Sequence, residues 1–233
     1  MAKVLVEETN LTNIANSIRE KTGTTDTYKP SEMASAISGI QSGGGDTNIE
    51  DGLLTRTLDN VSNSRITTLP SYVFYGYTVE PSGYSVDFDF PNVTTVGTGT
   101  FGNATIRNIN LPSLRILNYS LFEGARIYGN ANLPNAVTFR DKCMSNVLYF
   151  KKLEALNAQY IFTKAFLGSS IETFVFGNTV PTLNKVDAFS STTVSRGTGY
   201  IYVPDDLVDD YKSATNWSTY ADQIKPISEM PTE

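Results

Sequence analysis

The sequence predicts a mostly β solenoid with parallel strands, preceded by a short helical module and closed by a C-terminal capping helix. Three observations predict it. A short apolar–x–apolar pattern, often ended by proline, returns through most of the chain. A second apolar pattern follows each copy. Polarity comes from Thr, Ser and Asn rather than from charge, since charged residues make up only 18% of 233. Those residues favour turns and strand surfaces over charged helix faces.

The N-terminal element comes first. Leu11, Ile14, Ala15 and Ile18 fall at i, i+3, i+4 and i+7, one face of a helix that Asn10 caps and Lys21–Gly23 ends. A second short helix begins at Pro30 and lines its apolar face with Met33, Ala34 and Ile37. Two helices this short cannot bury a core alone. Their stripes therefore require a partner, so Leu11, Ile14, Ile18, Met33 and Ile37 are expected to be docking residues of a module spanning residues 1–40. Gln41 to Asn48 (QSGGGDTN) reads as flexible linker, placed at residues 41–50.

The repeats follow, over residues 51–203. Phe88-Asp89-Phe90-Pro91, Ile109-Asn110-Leu111-Pro112 and Ala131-Asn132-Leu133-Pro134 are clear copies of the first pattern. Leu148-Tyr149-Phe150 and Phe174-Val175-Phe176 repeat it without proline, and Ile201-Tyr202-Val203-Pro204 closes the series. The second apolar positions then advance by 21, 22, 17, 26 and 27 residues. The companion pattern is apolar, two residues, apolar, four residues, large apolar. It fits Ile66/Leu69/Phe74, Val93/Val96/Phe101, Leu114/Leu117/Phe122, Ala136/Phe139/Met144 and Leu153/Leu156/Ile161, with Leu183/Val186/Phe189 as a shortened copy. Each unit buries a few apolar residues and cannot do so alone, so units must stack. A period of about 20–29 residues belongs to the leucine-rich class. The cap and tail occupy residues 204–233: Pro204-Asp205-Asp206 opens a helix with Leu207, Val208, Tyr211 and Ala214 on one face, and Trp217 is expected in the core of the cap.

Several functions are disfavoured. The net charge is −6 and the 18 basic residues form no tract, which argues against nucleic acid and anionic membranes as partners. The chain has no histidine and one cysteine, Cys143, so triads, His-based metal sites and disulfide frameworks are excluded. No cofactor is implied. Asp87 and Asp89 share one strand face, and a carboxylate pair of this kind is the remaining route to glycoside hydrolysis; a solvated strand face is the plainer reading. Asp205, Asp206, Asp209 and Asp210 lack calcium-loop spacing and suit a helix N-terminus. Tyrosines recur along the repeats at 72, 75, 77, 84, 119, 128, 149 and 160. Tyrosine suits binding surfaces because it offers area and a hydroxyl at low entropic cost. Tyr75, Tyr77, Tyr84, Tyr119 and Tyr128 are the candidate contact residues.

Two stretches resemble known families. Ile66-Thr67-Thr68-Leu69-Pro70-Ser71-Tyr72-Val73-Phe74-Tyr75, Val96-Gly97-Thr98-Gly99-Thr100-Phe101 and Leu117-Asn118-Tyr119-Ser120-Leu121-Phe122 resemble the BspA-like leucine-rich repeats of bacterial surface proteins. The segment Ile14 to Ile40 looks like the leading segment of structural and tail proteins of phages and prophages of Gram-positive bacteria. The first ten residues do not read as a secretion signal. Together these resemblances imply a non-enzymatic virion protein, tail-fibre or baseplate-associated. Residues 1–40 would dock it to other virion proteins as a homo-oligomer, and the solenoid would meet a host surface glycan or protein. A capsid decoration or head-fibre protein is the alternative, then a polysaccharide-degrading fibre enzyme, then a host-encoded adhesin.

Overall fold

The computed structural model describes residues 15–16, 60–78 and 85–232. The chain divides into two units, Met1–Asn48 and Ile49–Glu233. Of the first unit the described residues are Ala15 and Asn16, which are helical. The docking residues Leu11, Ile14, Ile18, Met33 and Ile37, and the 41–50 linker, lie outside the described residues.

The second unit is a parallel solenoid. The strands of its main ladder, two to six residues each, are β1 (Asn60–Ser62), β3 (Val86–Asp89), β5 (Thr105–Asn110), β7 (Arg126–Ile127), β8 (Ala131–Asn132), β10 (Lys152–Ala155), β12 (Thr173–Phe176), β14 (Tyr200–Val203) and β15 (Ile224–Pro226). Between them fall two-residue strands: β2 (Thr68–Leu69), β4 (Thr95–Val96), β6 (Ile116–Leu117), β9 (Thr138–Phe139), β11 (Tyr160–Ile161) and β13 (Thr182–Leu183). The main-ladder strands form two sheets, ordered β1-β3-β5-β7 with β8 also on β5, and β10-β12-β14-β15. The short strands make a second ladder, β6-β9-β11-β13, with β2 paired to β4. Every pairing is parallel.

A turn ladder completes each unit. Phe74 N–H donates to Thr100, Phe101 to Leu121, Phe122 to Cys143, Met144 to Ala165 and Phe166 to Ala188, each time to a carbonyl one unit on. The turn is built from paired left-handed residues four apart: Tyr72 and Gly76, Gly99 and Asn103, Ser120 and Gly124, Lys142 and Asn146, Lys164 and Gly168. The second member is always Gly or Asn, the residues that tolerate this backbone. Beneath the turns runs an aromatic spine. Phe74 stacks on Phe101 at 5.3 Å and Phe101 on Phe122 at 5.5 Å; Met144 continues the line, and Phe166 lies 5.1 Å from Phe189.

The pairing corrects the register after residue 145. Phe88 pairs with Ile109 and Ile109 with Ala131, as expected. The next unit's strand is Leu153-Glu154-Ala155, because Leu153 pairs with Phe174 and Phe174 with Ile201. Leu148-Tyr149-Phe150 is not that strand. The steps become 21, 22, 22, 21 and 27. In the companion pattern, Ala158, Ile161 and Phe166 are the buried triad and Leu156 is 51% exposed. One unit further on, Leu183 and Phe189 are buried, with Val180 packed against the core, and Val186 is exposed. Local alternation misled because Leu148–Phe150 has the same apolar–x–apolar form as a strand, whereas Ala155 is small and Leu156 and Gly177 stand where other units carry proline.

The C-terminal cap is helical. A 3-10 turn, Asp205–Leu207, leads into α1 (Val208–Ser213), which buries Tyr211. Trp217 is fully buried against Phe176, Phe189 and Tyr211. The last unit's carbonyls meet side-chain donors of the cap. Trp217 Nε1 donates to Pro181 O at 2.7 Å and Asn216 Nδ2 to Leu183 O at 2.7 Å. The Tyr211 hydroxyl donates to Thr179 O at 2.9 Å and the Tyr220 hydroxyl to Val186 O. An open ladder end is thereby satisfied without another strand.

Candidate interaction surface

Outward residues of the long strands stack at equivalent positions, about 4.8 Å apart in a parallel sheet, so their side chains bond along the solenoid axis. Asn110 Nδ2 donates to Asp89 Oδ1, and Asn132 Nδ2 to Asn110 Oδ1, both at 2.6 Å. Asp87 accepts from Arg107 Nε at 2.9 Å, from Asn108 Nδ2 at 2.8 Å and from the Asn108 backbone at 3.1 Å. The Arg107 guanidinium and these donors hold the Asp87 carboxyl below the ordinary aspartate range. An acid for glycoside hydrolysis needs the opposite shift. Asp87 and Asp89 are thus strand-face residues tied into side-chain ladders. Among the described residues no group of three or more His, Cys, Asp or Glu side chains could hold a metal ion.

Among the described residues the main ladder opens between β8 and β10. β8 pairs with β5 and β10 with β12, and no pairing joins β8 to β10. There the chain makes one bridge, Leu148 to Arg126, and then turns through Tyr149 with a left-handed φ of 66°. The result is a cleft of about 690 Å³ lined by Tyr128, Asn130, Asn132, Tyr149, Lys152 and Glu154, among others. Gly129 lets the chain pass close at its border, since a Cβ there would sit 2.4 Å from Asn108 Oδ1 and 2.7 Å from Arg107 O. The rings of Tyr128 and Tyr149 stack at 4.7 Å with planes 14° apart, yet remain 52% and 53% exposed. Lys151 pairs with Glu172, and Lys152 with Glu154 at 3.0 Å.

The candidate tyrosines separate accordingly. Tyr128 lies in the cleft. Tyr75 and Tyr119 are exposed on the turn ladder: the Tyr75 hydroxyl accepts from Asn103 Nδ2 at 2.6 Å, and Arg140 stands 5.8 Å from the Tyr119 ring centroid. Tyr77 is a correction. It is only 7% exposed, edge-on to Phe74 and Phe88 at 5.9 and 5.6 Å, because it fills the core where the turn runs toward β3. Tyr84 lies outside the described residues. Tyr149 belongs to the recurrent tyrosines but not to the five candidates, and the structure adds it to the cleft. Its signal was the uneven spacing itself, since a step of 17 followed by 26 marks the segment displaced from the ladder.

Stacked units of about 22 residues, each with a longer parallel strand, a short second strand and a turn, define a leucine-rich-repeat solenoid. The family model for the BspA type leucine rich repeat region matches residues 67–195 in 6 copies. The chain belongs to the BspA-type leucine-rich-repeat family. No curated protein matches it. Repeats of this family suggest a role in protein interaction or adhesion, and the family is typically non-enzymatic.

Proposed function

We propose that this chain is a non-enzymatic adhesion component of a bacteriophage particle, tail-fibre or baseplate-associated, whose solenoid contacts the host surface through the Tyr128–Tyr149 cleft. The observation that carries the contact site is the exposed tyrosine stack where the strand ladder opens. Tyrosine offers contact area and a hydroxyl together, and an exposed stacked pair beside a cleft supports this reading. The virion setting rests on the likeness of residues 14–40 to leading segments of phage structural proteins. In this reading residues 1–40 dock the chain, as a homo-oligomer, to other virion proteins.

Two experiments test it. Cryo-electron microscopy of purified particles, with mass spectrometry of their proteins, is expected to find the chain at the tail with residues 1–40 at the attachment point. Particles that lack the chain end the virion reading. Fluorescently labelled chain is expected to attach to host cells, and attachment unaffected by Tyr149→Gly ends the assignment of the cleft.

A further inference from the structure

The make-up of the cleft points to the chemistry of what it holds, an inference that rests on the cleft being the contact site. The first clue is backbone conformation. Ten left-handed residues make up the five periodic turn pairs; Tyr149, like Ser191 and Gly197 near the C-terminal end, lies outside that series, and it alone of these three lines the cleft. A residue with a Cβ held there costs about 1–2 kcal/mol, and such outliers cluster at functional sites. What this conformation achieves is to set the Tyr149 ring flat against Tyr128. The pair forms an aromatic platform open to solvent.

The second clue is the polar border. Asn130 and Asn132 are both exposed beside the platform. The asparagine ladder ends at Asn132, because Glu154 stands at the equivalent position of the next unit. The third is charge. Each lysine of the lining is paired with a carboxylate, Lys151 with Glu172 and Lys152 with Glu154, so neither an anionic nor a cationic ligand finds an uncompensated partner there. The recognition groups are amides, tyrosine hydroxyls and aromatic faces. A cleft of about 690 Å³ falls within the range of small-ligand sites.

We infer that the cleft binds a neutral pyranose oligosaccharide. The C–H face of one sugar ring lies on an outer face of the stacked Tyr128–Tyr149 pair, and its hydroxyls hydrogen-bond to the Asn130 and Asn132 amides. A peptide fits less well. Strand addition takes its specificity from pockets for alternate side chains along a free edge; β8 has two residues, the Leu148 bridge occupies the outer edge of β7, and the four-residue edge of β10 presents the Lys152–Glu154 ion pair instead of pockets. Side-chain anchors need deep apolar sockets, and this site offers a flat platform bordered by amides.

The test titrates the full chain with cellotriose, maltotriose, tri-N-acetylchitotriose and mannotriose, read by saturation-transfer NMR and calorimetry. At least one is expected to bind, with saturation strongest on the protons of one sugar face. Tyr149→Gly removes the ring while suiting the left-handed backbone, so it should fold with an unchanged circular dichroism spectrum. It is expected to weaken binding by about tenfold or more, whereas Tyr128→Phe, which keeps the stack, retains most of it. Binding by none of the four, or binding that Tyr149→Gly leaves unchanged, overturns the inference. Cell attachment separates it from the reading beneath it. Attachment lost in Tyr149→Gly but insensitive to periodate oxidation of the cell surface overturns the sugar and keeps the contact site. Attachment that Tyr149→Gly does not alter overturns both.

Discussion

Single residues set how closely the units stack. Gly177 occupies a position where other units carry proline, and a Cβ there would lie 2.0 Å from the Leu156 carbonyl oxygen of the unit below. That atom is backbone and cannot swing aside. Gly177→Ala is therefore expected to destabilise the fold by about 1–3 kcal/mol, measured by urea unfolding. Asp87 works through charge. Its carboxyl is depressed in the folded state by Arg107 and Asn108, so its stabilising contribution is complete above the ordinary aspartate pKa of about 3.9 and disappears as pH falls through the folded value. Wild type should melt above Asp87→Asn at neutral pH, and the gap should close in acid; a gap independent of pH would show that the pair contributes nothing electrostatic. Cys143 is fully buried, and desolvation pushes its thiol up. It is expected to resist thiol reagents such as Ellman's reagent until the protein unfolds.

Elements add constraints that no residue carries alone. The turn ladder needs a left-handed residue at its second position, and the Asn of one unit packs on the Gly of the next. A Cβ on Gly168 would meet Asn146 Oδ1 at 2.4 Å, and one on Gly124 would meet Asn103 Oδ1 at 2.2 Å. Gly76 has the same backbone sign but open space around it. Gly168→Ala should therefore cost more than Gly76→Ala, whose backbone penalty alone is about 1 kcal/mol; equal losses would mean that the Asn–Gly contact is inert. The sequence makes most of these elements legible. The early units, with Pro91, Pro112 and Pro134 ending their strands and Phe74, Phe101 and Phe122 as knobs, read directly as a repeat. Register after residue 145 did not, because a parallel strand is chosen by its partner rather than by its own alternation. Leu153–Ala155 prevails over Leu148–Phe150 through pairing with Phe174–Phe176. The cleft was hidden for the same reason, since it lies where that partner choice leaves a gap. Tyr77 differs from Tyr75 by two places in sequence, but one ring enters the aromatic core and the other leaves it.

At the scale of the whole solenoid, each unit touches its neighbours and little else, so stability approximates a sum of unit and interface contributions. Its weak point is the end where the sum stops. Trp217 closes that end, packed on three aromatic rings and bonded to Pro181. Trp217→Ala is expected to remove about 3–5 kcal/mol. The loss should be graded: hydrogen-exchange mass spectrometry should show protection failing first in β15, β14 and β12, while β3 and β5 keep theirs. Uniform loss along the chain would mean that the units unfold as one block.

The step of 21 or 22 residues between the units from Phe88 to Phe174 bears on how such a chain changes length over generations. Leu111 and Leu133 are equivalent points 22 residues apart, so an in-frame duplication of the intervening codons would add a complete storey with both faces already complementary to its neighbours. Duplication or deletion of a whole unit can thus lengthen or shorten the gene without a new core having to evolve. The Tyr128–Tyr149 cleft constrains this freedom, because it depends on one displaced segment that a misplaced copy would straighten into an ordinary strand. Inheritance would then tolerate variation in copy number on either side of the cleft far more readily than across it.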